Sequence, residues 1–131
     1  VHDATAICSP TPSQFAALAA LDGDQQCLAA MRDELIQRKK LCCERLDKLH
    51  KYFSYVPPKG AFYVMAKYLF STASSQEVAI NLLREAKVIT IPGGAFGQGG
   101  EGHLRISFGG ELQVINGAFD RIEQWLGCRQ S

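Results

Sequence analysis

Residues 103–108 read His, Leu, Arg, Ile, Ser, Phe, an alternation by two that an extended strand sorts into faces. Successive strand side chains point to opposite sides, so Leu104, Ile106 and Phe108 make one apolar face and His103, Arg105 and Ser107 make the other. A short apolar run, Val88–Ile91, and a glycine-rich loop precede this strand, and Gly109-Gly110 turns the chain after it. Arg105, at the strand's centre, is the residue that needs a reason. Either its face is solvated and it is an ordinary surface charge, or it stands at the edge of a site and grips a carboxylate. Its planar fork of donors can hold both carboxylate oxygens at once.

The rest of the chain supplies the layer that the apolar face needs. Thr11-Pro12-Ser13-Gln14 has the form of a T-x-x-Q capping box with proline at the first helical position. It opens an alanine-rich helix that stops at Asp22-Gly23, and so apolar a helix is expected to be packed. Asp24 can cap a second helix from about Gln25 to His50, where Leu28, Leu35, Cys42 and Leu49 recur every seven residues. At 1.5 Å per residue this helix spans roughly 40 Å, which suits a bridge between two lobes. Arg38 and Arg45 break a strict coiled-coil seam and disfavour a dimerising zipper.

Pro57-Pro58 then forces an extended or turning chain, and residues 61–66 read as a strand of β-favouring residues. Ser74-Ser75-Gln76-Glu77 caps a helix whose expected buried face is Val78, Ala79, Leu82, Leu83 and Ala86. Val88–Ile91 is a short strand ended by Pro92-Gly93. Leu112, Ile115, Phe119, Ile122 and Leu126 place a last helix on the core, with Trp125 beside them. The expected fold class is α+β, an α/β sandwich. It has a small mixed or antiparallel sheet with helices mainly on one face, preceded by a long connecting helix.

A chain of 131 residues holds one domain, or one domain with an extra piece. A formal net charge of +1 leaves no electrostatic footprint for nucleic acid or a membrane surface. No apolar run approaches the ~20 residues of a membrane span. The five cysteines, Cys8, Cys27, Cys42, Cys43 and Cys128, are odd in number and contain no C-x-x-C pair. Neither a disulfide framework nor a zinc site is suggested, and a reducing, cytoplasmic setting fits. The start at Val1 rather than Met points to a fragment or a processed product.

Several motifs read as structure. Gly97-Gln98-Gly99-Gly100-Glu101-Gly102 spells G-x-G-x-x-G, but a dinucleotide cradle needs a helix N-terminus after the glycines, and here a strand follows. The glycines read instead as positions of positive φ and of mobility. Cys8 and His2 lack the third, orienting group of a nucleophile pair. His50 sits at a helix end, where a dipole contact explains it. Glu101 reads as a solvated loop carboxylate. His103 shares a face with Arg105 and is a candidate ligand contact.

Three stretches resemble the class I/II aminotransferases, fold-type-I enzymes that use pyridoxal phosphate. Pro58-Lys59-Gly60-Ala61-Phe62-Tyr63 is similar to the family's P-x-G-A-F-Y strand, and Ile91–Gly97 to its P-G-x-x-F-G loop. Gly102–Phe108 is similar to the strand that bears its carboxylate-binding arginine, and Pro12–Leu21 is similar as well. The resemblance implies the C-terminal part of an aspartate-aminotransferase-like enzyme. Residues 1–23 would be the tail of the large domain, 24–52 the interdomain helix and 53–131 the small domain. It implies that Arg105 holds the substrate α-carboxylate in a bidentate pair and so orients the Cα–H bond. The enzyme would exchange an amino group between an amino acid and a 2-oxo acid, with pyridoxal phosphate as electron sink.

The family's Schiff-base lysine lies in a serine-lysine motif upstream of the matched region, with the aspartate and phosphate-binding groups that hold the cofactor. Lys39, Lys40, Lys48, Lys51, Lys59, Lys67 and Lys87 sit in no such motif. The resemblance therefore implies no catalytic or cofactor-binding residue here, no metal, and an inactive fragment not expected to bind pyridoxal phosphate. The fragment would depend on a missing large domain, come from a homodimeric parent, and be free to self-associate. A reading from another class stays open, a non-catalytic α/β binding or assembly module in which Arg105 grips a partner's carboxylate.

Overall fold

A computed structural model of the chain describes residues 8–128, which fall into two compact units divided between Asp33 and Glu34. His2, and with it the Cys8–His2 pairing, lies outside the described residues. In the first unit, helix α1 runs Thr11–Asp22. The expected capping box does not form. Pro10 is the N-cap with no side-chain bond, and Gln14 Nε2 donates to the Ser9 carbonyl at 2.8 Å instead. Proline is tolerated in the first helical turn, where its missing N–H has no partner to lose, so Pro12 does not fix the start to one residue. No residue of α1 is buried, and Phe15, Leu18 and Leu21 lie exposed.

Helix α2 spans Gln26–Lys48, and Asp24 Oδ1 accepts the Gln26 N–H at 3.0 Å as its capping role predicts. The seven-residue stripe divides along the helix. Leu28 is exposed, Leu35 half-buried, and Cys42 and Leu49 are in the core. Arg45, expected to break a coiled-coil seam, is itself buried at 7% exposure.

In the second unit, four strands form one antiparallel sheet, β1 (Phe53–Tyr55), β2 (Tyr63–Tyr68), β3 (Ile91–Pro92) and β4 (His103–Ser107), in the order β1-β2-β4-β3. The choice left open between mixed and antiparallel is thereby resolved. The β2 strand starts two residues later than expected, because Ala61 takes a left-handed φ of 59° that no strand continues. The last strand of the pattern, β3, is only two residues long, with Pro92 inside it. An edge strand accommodates proline because one row of its backbone groups needs no partner.

Helix α3 (Ser75–Asn81) passes into a π-helical turn over Leu82–Ala86, and α4 runs Leu112–Cys128. Val78, Ala79, Leu82 and Ala86 are buried as expected, but Leu83 is exposed. The wider π turn begins at Leu82 and takes Leu83 off the stripe that residues 78, 82 and 86 share. On α4, Ile115, Phe119, Ile122, Trp125 and Leu126 are buried, while Leu112 at the first turn is exposed. The core joins these helix faces to Val64, Ala66 and Tyr68 of β2 and to Leu104 and Ile106 of β4. The result is the α+β layering that the sequence implies.

Candidate functional site

With Leu104 and Ile106 turned into the core, the pleat turns His103, Arg105 and Ser107 to the other side of the sheet. Register places Met65 of β2 and Ile91 of β3 on either side of Arg105, with Tyr63 opposite Ser107 and Lys67 opposite His103. Arg105 thus stands on an interior strand, held from both flanks. Its Cζ lies 5.1 Å from the Tyr63 ring centroid and 5.0 Å from that of Phe96. It is half-buried and takes no ion pair or hydrogen bond from any described residue. The contrast with two other arginines is direct. Arg38 donates to Glu34 and to the Gly109 carbonyl, each at 2.7 Å, and Arg45 reaches Asp120 and Glu123 at 2.7 and 2.8 Å. On the same face, a depression of about 380 Å³ is lined by Val56, Pro58, Tyr63, Met65 and His103, among others. His103 Nδ1 lies 3.0 Å from the Glu101 carbonyl oxygen, so its backbone neighbour fixes the ring.

The loop that delivers Phe96 is built on close approach. Gly93–Phe96 and Gln98–Gly100 are successive 3₁₀ turns. A Cβ on Gly93 would fall 2.0 Å from the Gly100 carbonyl oxygen, and one on Gly100 would fall 2.0 Å from that of Gly93. The expectation of positive φ holds at Gly97 and Gly102, but Gly93 and Gly100 are there because their backbones touch.

Glu101 is an exposed loop carboxylate as expected, and its carboxylate also accepts the Ser75 backbone N–H and, at 2.9 Å, the Ser75 hydroxyl. Ser75 Oγ in turn accepts the Gly94 N–H at 3.0 Å. These bonds, led by the backbone N–H and then the hydroxyl of Ser75, hold the Glu101 carboxyl below its ordinary pKa. Tyr68 is raised, by burial first and then by the Glu101 charge. Phe96 and Tyr63 were signalled by the motifs that contain them. No signal marked the pairing of Glu101 with Ser75, which are 26 residues apart.

A helix-backed antiparallel sheet, entered through a 23-residue helix and carrying an unpaired arginine on its bare side, defines a class of α+β domain. Comparison narrows the class to a family. Residues 2–122 match the model of aminotransferase class I and II, and the chain belongs to that family. It is similar to aromatic-amino-acid aminotransferase 2 of Thermococcus litoralis, 38% identical over 92% of this chain and 31% of that protein. It is similar at the same 38% identity and the same coverage to an aspartate aminotransferase of Pyrococcus abyssi. Among solved structures, an alanine aminotransferase from Pyrococcus furiosus superposes with a TM-score of 0.85 at 31% identity, over 92% of this chain and 30% of that one. The chain therefore spans about a third of the length of the proteins it matches. Among the described residues no cluster of side chains could hold a metal ion, and no helix is long and apolar enough to cross a membrane.

Proposed function

We propose that this chain is the C-terminal part of a pyridoxal-phosphate-dependent aminotransferase, in which Arg105 holds the α-carboxylate common to the amino acid and the 2-oxo acid. In this reading residues 1–23 end the large domain, 24–52 form the helix between domains, and 53–131 form the small domain. The parent is a cytoplasmic homodimer. The observation that carries the reading is the Arg105 guanidinium, laid over two rings and matched by no carboxylate among the described residues. Two oxygens gripped by one rigid fork fix the substrate's amino group and Cα–H bond relative to the sheet. The rings beside the guanidinium keep water from it and so strengthen its pull on an anion.

Pyridoxal phosphate, when bound, supplies the electron sink that makes the Cα–H bond acidic. The donor set of this chain does not fit that group. Six of its seven lysines are exposed, and the seventh, half-buried Lys39, points its Nζ at the Pro58 carbonyl oxygen, 3.5 Å away. The glycine loop leads into β4 and so offers no helix N-terminus to a phosphate. The seat of the cofactor and the lysine that moves the proton belong to the rest of the parent, and the chain alone is inactive. Relatives named for aromatic amino acids, aspartate and alanine show similar identity, so substrate side-chain choice rests outside the features shared here.

Arg105→Lys in the parent tests the assignment. Loss of a charged bidentate pair should lower kcat/KM by about 10- to 150-fold, the equivalent of roughly 1.5–3 kcal/mol. Unchanged kcat/KM for both substrates would remove Arg105 from the site. For the chain alone, borohydride reduction after mixing with pyridoxal phosphate should label no single lysine stoichiometrically.

A further inference from the structure

Phe96 and Tyr63 reach Arg105 by different routes. Tyr63 is fixed by the sheet, whereas Phe96 sits at the end of a 3₁₀ turn and is a residue 54% exposed. Exposure of that order means that the ring's own packing cannot hold it in place. The turn has an anchor, however. Ser75, 1% exposed, stands at the start of α3. Its hydroxyl donates to Glu101 and accepts from Gly94, and its backbone N–H donates to Glu101. One side chain thus ties the beginning of the glycine loop to its end. The space around the tie is full, since a Cβ on Gly94 would fall 2.5 Å from Glu101 Oε2 and 3.1 Å from Ser75 Oγ. The reciprocal contact of Gly93 with Gly100 closes the same loop at its neck.

We propose that Ser75 and Glu101 are positioning residues for carboxylate recognition. They form a latch that acts through Gly94 to hold the Gly93–Phe96 turn, and with it the Phe96 ring, over the Arg105 guanidinium. The proposal rests on the reading of Arg105 as the carboxylate-binding group. The latch touches neither Arg105 nor its ligand. Its effect is to keep one ring against the cation, so that the fork is already desolvated and oriented when an anion arrives.

Nuclear magnetic resonance of the labelled 131-residue chain tests it, with acetate as probe and chloride used to hold ionic strength constant. In the wild type the Arg105 δ-methylene protons should be shifted by ring currents and should move again on acetate binding. Phe96→Leu gives the reference for a missing ring. Ser75→Ala cuts the link to Gly94 while leaving the backbone N–H of residue 75 to Glu101, and Glu101→Gln puts a donor against the Ser75 hydroxyl. In either variant, with thermal melts confirming a folded chain, the Arg105 shift should move toward the Phe96→Leu value. Acetate should bind about two- to fivefold more weakly, the factor that one cation–π contact at a partly exposed site is worth. If one variant fails to fold, the other carries the test, with Gly94→Ala behind both. Wild-type shifts and acetate affinity in the folded variants overturn the latch, as does a Phe96→Leu spectrum unchanged at Arg105. If acetate leaves wild-type Arg105 unmoved, the carboxylate reading fails, and the ring-current shifts still decide whether the latch exists.

Discussion

Arg45 offers the sharpest test of how the long helix is fastened to the rest of the second unit. It lies on α2 at 7% exposure, and its Nη2 donates to Asp120 at 2.7 Å and to Glu123 at 2.8 Å, both on α4. Its Nη1 donates to Asn116 Oδ1, and its Cζ lies 5.7 Å from the Phe119 ring centroid. Burial would lower its pKa, but the two acidic partners together outweigh burial and raise it. Arg45→Met keeps the length and apolar stem while removing the charge. Breaking a buried ion pair costs about 3–5 kcal/mol where the orphaned charge stays buried. Here the Asp120 and Glu123 side chains are 52% and 40% exposed, so water can take them up, and the figure falls to about 2–3 kcal/mol. For a chain of this size that is a drop in Tm of about 8–12 °C. A second substitution, Glu123→Gln, removes the repulsion left between two carboxylates that had shared one nitrogen. The double variant should therefore recover part of the loss. Calorimetric melts at pH 7 on wild type and both variants read the result. A loss under about 1 kcal/mol, or a double variant less stable than Arg45→Met, would refute the claim that this arginine fastens the two helices.

Two further outcomes follow from the shifted groups. The Glu101 carboxyl has a folded pKa below its unfolded value, so its stabilisation is complete above the unfolded pKa and is lost as pH falls through the lowered folded one. Glu101→Gln should flatten the acid limb of Tm against pH, and a limb parallel to the wild type's would show that the Ser75 bonds do not hold in solution. Burial first, and then neighbouring Cys43, pushes the Cys42 thiol up to about 12. Iodoacetamide at pH 8 should alkylate exposed Cys8, Cys27 and Cys128 well before Cys42, which peptide mapping of a folded sample would reverse if Cys42 were open.

What could be read from the sequence was what repeats locally. The alternation of residues 103–108 gave the faces of β4, and three- and four-residue spacing gave the buried stripe of α4 from Ile115 to Leu126. Both need only a backbone period and a one-sided core. The misreadings share a different cause. Arg45 read only as a break in a coiled-coil seam, and its burial went unseen because its partners lie 71 to 78 residues away. The bonds that exposed Glu101 makes went unseen because Ser75 is 26 residues back. Leu83 left the buried face because the helix widens at Leu82, and no propensity marks a π turn. In the candidate site the arginine itself was visible as the one charge in an alternating strand. The two rings beside it come from β2 and from the glycine loop, and only the folded register brings them to the same cation.

The glycine loop shows why one spelling can serve unrelated ends. In a dinucleotide cradle the glycines let a backbone approach a phosphate. Here the motif glycines Gly97, Gly99 and Gly102 have open space where a Cβ would stand, and the close approach is made by Gly93, outside the motif, and Gly100, at one of its variable positions. Gly93 and Gly100 meet with no room for a Cβ on either, and Gly97, at φ 109°, turns the chain between the two 3₁₀ turns. Phe96 is an apolar ring left half in water, against a guanidinium that has no acidic partner among the described residues. A planar anion settling against the cation would supply the acidic partner that no described residue provides. On the reading proposed here, the Ser75–Glu101 latch and the backbone-to-backbone contact of Gly93 with Gly100 together keep that half-made site in shape until its ligand completes it.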